Sequence, residues 1–77
     1  MTLAEMKTIL KMRGWRLRSR ACWPNTKKRR WYVTDEHGYI AVMNRDTPGR
    51  ALQWAIALIT EDAVLMYTLR LLEGETK

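Results

Sequence analysis

From Trp15 to Trp23 the chain changes character at every residue. Trp15, Leu17, Ser19, Ala21 and Trp23 fall on one side of an extended backbone, and Arg16, Arg18, Arg20 and Cys22 on the other. A period of two belongs to a β-strand; a helix repeats about every 3.6 residues and would scatter the arginines around its circumference. The stretch is therefore predicted to be a half-buried strand that turns its tryptophans to a core and its arginines to water. That one strand constrains the rest. With one apolar face it needs neighbours along its edges and a cover over that face, so the remaining residues must supply more strands and at least one helix.

Both are found. Pro24-Asn25-Thr26-Lys27-Lys28 is rich in turn formers, and Arg29 to Thr34 then reads as a second strand, with Trp31 and Val33 opposite Arg30 and Tyr32. Asp35-Glu36-His37-Gly38 is a hairpin connection in which Gly38 takes the positive φ, and Tyr39 to Met43 is the predicted third strand. Ahead of the sheet, Thr2-Leu3-Ala4-Glu5 has capping-box spacing and opens a helix over about Leu3 to Arg13. Its Leu3, Met6, Ile9 and Leu10 share a face, and Gly14 supplies its C-terminal cap. After the sheet, Thr47 is the predicted N-cap and Pro48 the first residue of an apolar helix. Thr60-Glu61-Asp62 either starts a further helix over Ala63 to Leu72, ending at Gly74, or marks a bend in one long helix. The expected fold is a single α+β domain of order α-β-β-β-α(-α) spanning 1–77, a three-stranded antiparallel sheet with helices on one face and a loose tail at 73–77.

A chain of 77 residues buries only roughly 60% of its unfolded surface, so its margin of stability is thin. Cys22 is the single cysteine and makes no internal disulfide, and no Cys/His cluster has metal-ligand spacing. Dimerisation or partner binding is the remaining source of help. The apolar surface of 51–72 exceeds what a three-stranded sheet and one short helix need, which points to a homodimer or a protein contact there. A lone thiol fits a reducing, cytoplasmic setting. The longest apolar run, Ala51 to Ile59 with Gln53 inside it, is far short of the ~20 residues that span a bilayer.

The net charge of +6 is divided unevenly. Residues 1–33 hold ten bases against Glu5 alone, whereas 34–77 hold four bases against seven acids. Strand alternation gathers Arg16, Arg18, Arg20, Arg30 and Tyr32 on the open face of the sheet, with Lys27, Lys28 and Arg29 at the turn beside it. Guanidinium groups grip phosphate through two donors at once and stack on bases, lysines add counterion release, and a sheet-face tyrosine is a stacking platform. Crowding like charges on so small a face costs stability, so a compensating anion is expected.

Nothing else reads as chemistry. The four tryptophans, in a chain without phenylalanine, are expected in the core. His37 is the only histidine and sits in a turn, and Glu61 and Asp62 suit a helix start. Pro48-Gly49-Arg50 lacks the spaced glycines and Lys-Ser/Thr of a phosphate loop. No catalytic residue, cofactor or metal is expected.

The element order is similar to that of the double-stranded-RNA-binding domain, whose lysine cluster at the last helix is represented here by Thr47-Pro48-Gly49-Arg50. The stretch Ile9-Leu10-Lys11-Met12-Arg13-Gly14-Trp15-Arg16-Leu17 looks like the opening of the HicA-type mRNA interferase toxins. Where that family carries a histidine after its first strand, this chain has Cys22-Trp23-Pro24. Arg16 to Arg20, Trp31-Tyr32-Val33 and the helix from Thr47 resemble the outline of the arm-binding domains of phage integrases. These likenesses imply only that a basic sheet on such a scaffold serves as a nucleic-acid surface. The expectation is a non-enzymatic, nucleic-acid-binding accessory or regulatory protein of phage or mobile-element type. The alternative is a small inhibitor or adaptor whose basic face docks on an acidic protein surface.

Overall fold

The computed structural model describes residues 1–22, 24 and 27–74. Helix α1 (Leu3–Met12) begins with the predicted capping box, in which Glu5 N donates to Thr2 Oγ1 at 3.2 Å and Thr2 N to Glu5 Oε1 at 3.3 Å. These bonds hold the Glu5 carboxyl below its ordinary value of 4.5, the backbone bond from Thr2 being the larger cause and the bond from its hydroxyl the next. The helix ends at Gly14, whose φ of 76° lets Trp15 N reach Leu10 O at 2.9 Å and Gly14 N reach Lys11 O at 3.1 Å. A side chain at Gly14 would be strained in this conformation and would also press on Glu36 Cβ at 3.3 Å.

Three strands follow in spatial order β1 (Arg16–Ala21), β2 (Arg29–Thr34) and β3 (Ile40–Arg45), all antiparallel. β2 has the predicted bounds. β1 is shorter than the Trp15 to Trp23 alternation: Trp15 closes the α1 cap instead, Cys22 N donates to Lys28 O in the hairpin at 2.8 Å, and Trp23 lies outside the described residues. β3 runs from Ile40 to Arg45 rather than from Tyr39 to Met43. The Asp35 carboxylate accepts the N–H groups of His37 and Tyr39 at 2.9 and 3.0 Å, which keeps Tyr39 in the turn. At the other end Arg45 continues the ladder opposite Trp31, with irregular register either side of Val33.

Thr47 caps α2 (Pro48–Thr60), as the sequence predicts. The choice between one bent helix and two is settled by Glu61, which adopts a left-handed φ of 53°. There Asp62 N donates to Ala57 O at 2.9 Å, closing α2, while the Asp62 carboxylate accepts from Leu65 N at 3.0 Å, opening α3 (Ala63–Leu72). The core lies between the sheet and α2: Leu17, Trp31, Val33 and Val42 meet Leu52 and Ala55, with Met6 and Leu10 of α1 closing one side. α3 lies against α2 and buries Leu69. Trp54 is in this core; Trp15 and Trp31 are half-buried along its margin. Among the described residues no helix is long and apolar enough to cross a membrane.

Candidate nucleic-acid interface

The β1–β2 register decides which side chains share a face. Arg16 stands opposite Thr34, Arg18 opposite Tyr32 and Arg20 opposite Arg30. Cross-strand partners point to the same side, so these six residues form the face turned away from the helices, as alternation requires. Leu17 with Val33 and Ser19 with Trp31 take the other side. Along β1 the three arginines are spaced by two residues, or about 6.6 Å. That is on the scale of the step between phosphates along an extended strand.

The arginines of this face differ in how they are occupied. Arg16, Arg18 and Arg20 are exposed, and the ion pairs among the described residues (Arg30–Asp46, His37–Glu36, Arg45–Glu73) include none of them. Arg20 lies over the Tyr32 ring, 5.8 Å from its centroid. A cation drawn to a ring at this distance holds the guanidinium close to the sheet without neutralising it. Arg30 is different, because its Nη1 is paired with Asp46 just beyond β3. It therefore already has a carboxylate partner within the chain, in a solvent-exposed pair worth at most about 1 kcal/mol. Beside Arg18, a shallow groove of about 340 Å3 is lined by Tyr32, Thr34, Gly38 and Ile40. Thr34 is buried, and Arg18 is the one charged side chain that lines the groove.

The remaining predicted residues separate. Lys27 and Lys28 are exposed in the β1–β2 turn. Arg29 opens β2 opposite Ala21 and donates from Nε and Nη2 to Ser19 Oγ at 3.1 and 2.9 Å, which draws it to the helix side, away from Arg16, Arg18 and Arg20. His37 is exposed in the β2–β3 turn with Nε2 3.5 Å from Glu36 Oε1, and Cys22 is half-buried.

Two cations outside the predicted set stand at the β3–α2 corner. Arg45 and Arg50 line a pocket of about 460 Å3 with Arg30, Asp46 and Glu73. Arg50 Nη1 is shielded from water there and has no acceptor among the described residues. Arg45 lies beyond the predicted end of β3, where the ladder continues opposite Trp31, and Asp46 meets Arg30 only through the β2–β3 pairing. Neither relation has a local signature in the sequence. No family model, no curated protein and no solved structure matches the chain, so the arrangement of these side chains is the ground for any functional reading.

Proposed function

We propose that the protein binds nucleic acid without catalysing a reaction, gripping the phosphodiester backbone with Arg16, Arg18 and Arg20. In this reading Lys27 and Lys28 extend the contact at the turn, Arg30 contributes weakly, and Arg29 is a structural residue. The observation that carries it is the row of three exposed arginines, evenly spaced along one strand and without carboxylate partners among the described residues, beside a half-buried tyrosine. The groove between Arg18, Tyr32 and Ile40 offers a platform for an unstacked base, so single strands should bind more tightly than duplexes. An accessory role in the cytoplasm, in a phage or mobile element, is the setting we infer from the small size and basic charge.

Salt dependence tests this directly. For single strands log K falls with log salt by about 0.7 for each phosphate neutralised. Three to five contacts then give a slope of about −2 to −3.5, a loss of roughly 20-fold to 100-fold between about 50 and about 200 mM salt. Fluorescence anisotropy with labelled oligonucleotides of unrelated sequence reads the slope. Absence of binding to any single strand or duplex at about 50 mM salt ends the proposal. Capture of one stoichiometric acidic protein after nuclease treatment would replace it with the inhibitor or adaptor reading.

A further inference from the structure

α3 has an outward side that solvent alone does not explain. Of its ten residues only Arg70 is charged, and that guanidinium leans back over Trp54, 6.0 Å from the ring. Leu69 faces the core with Leu65 and Met66 beside it. One hundred degrees per residue then puts Val64, Tyr67, Thr68 and Leu71 on the opposite side. Val64 is 76% exposed, Tyr67 57% and Leu71 50%. By contrast, the apolar side of α2 is taken up by the chain's own core, with Ala51, Leu52 and Trp54 to Ala57 buried. The surplus apolar surface of 51–72 is therefore concentrated on α3.

We propose that this side of α3 pairs antiparallel with α3 of a second copy, about a two-fold axis between Tyr67 and Thr68. Symmetry about that point sets Val64 level with Leu71 of the other copy and Tyr67 level with Thr68, so that each large side chain faces a different one and each contact occurs twice. No charge is buried, and the Thr68 hydroxyl already donates to Val64 O at 2.9 Å, so its proton needs no new acceptor. The α3 stripe carries no charge, so two copies of net charge +6 can meet there without bringing like charges together. The side chains involved offer on the order of 400 Å2 of apolar surface per copy, the size of patch that in monomers is often functional. Two such patches fall short of the about 1,200 Å2 that stable complexes bury, so the dimer is a weak one with Kd of about 10 to 500 μM. The pairing leaves Arg16, Arg18 and Arg20 uncovered in both copies.

Sedimentation of the full chain from about 5 to about 500 μM, free of nucleic acid, tests the pairing independently of any nucleic-acid binding. The expected result is a reversible monomer–dimer equilibrium that Tyr67→Glu and Val64→Lys each weaken at least about tenfold, with circular dichroism unchanged at low concentration. Both positions are exposed, so the variants fold. A chain that stays monomeric at the highest concentration, including one that instead uses these side chains on lipid vesicles or another protein, overturns the proposal. So does a dimer indifferent to both substitutions.

Discussion

Replacing Glu73 by alanine probes how a domain this small fixes its last helix. Glu73 accepts the Trp54 indole N–H at Oε1, at 3.0 Å, and its Oε2 lies 3.1 Å from Arg45 Nε, off the line of the N–H bond. The two charged side chains are only 15% and 20% exposed, and Arg45 also sits 5.2 Å from the Trp54 ring centroid. Removing the carboxylate strands an indole donor, which costs about 1 to 3 kcal/mol. It also leaves a largely buried guanidinium without its counterion. Full loss of a buried partner costs about 3 to 5 kcal/mol. Here the loss is smaller, because Arg45 Nη1 still donates to Asn44 O at 3.2 Å and the group keeps some access to water. A destabilisation of about 2 to 3 kcal/mol follows, or roughly 10 to 20 °C in Tm for a domain of this length. Thermal and urea unfolding by circular dichroism measure it. Glu73→Gln keeps an acceptor for Trp54 and should fall between wild type and alanine. In a Trp54→Phe background the cost of Glu73→Ala should shrink by about 1 kcal/mol, because the stranded donor is gone. A Glu73→Ala shift below about 0.5 kcal/mol would refute the reasoning and return Glu73 to a loose tail.

Three further outcomes follow from the geometry. Glu61→Gly relieves a left-handed non-glycine residue at the α2–α3 junction and should stabilise the protein by about 1 kcal/mol, read as a higher urea midpoint. Asp46→Ala releases Arg30 to the open face and should strengthen single-strand binding, steepening the salt slope by about 0.7; an unchanged slope would show that Arg30 does not reach the ligand. The Glu5 carboxyl, held down by the capping box, should titrate by NMR with a midpoint below 4.5, and below that of the Thr2→Ala variant. Because its pKa is lowered on folding, its contribution to stability is present above the unfolded value and fades as pH falls through the folded one.

The elements that local chemistry specifies were readable in the sequence. Thr2 and Glu5 mark the start of α1, Gly14 its end, Thr47 and Pro48 the start of α2, and the Trp15–Arg20 alternation the arginine face. What the sequence concealed depends on pairing across the fold. Asp46 pairs with Arg30 because β3 runs beside β2, and β3 holds one extra residue on each side of the Val33 pairing, with no glycine to announce either irregularity. Arg29 reads as part of the basic turn, but the β1–β2 register sets it on the same side as Trp31 and Val33, where Ser19 Oγ accepts from it. The α2–α3 break was ambiguous because Glu61, rather than glycine or asparagine, occupies the left-handed position. The apolar character of 51–72 is legible in the sequence, but only packing shows that the apolar side of α2 is enclosed while Val64, Tyr67 and Leu71 of α3 are exposed.

The account turns on whether Arg16, Arg18 and Arg20 meet phosphate. Replacing all three by serine removes exposed side chains that hold no ion pair among the described residues, so the fold should survive with Tm unchanged or slightly raised. The salt slope of single-strand binding should fall by about 2 units, from three contacts at about 0.7 each. A folded triple variant that keeps the wild-type slope and affinity would contradict the account.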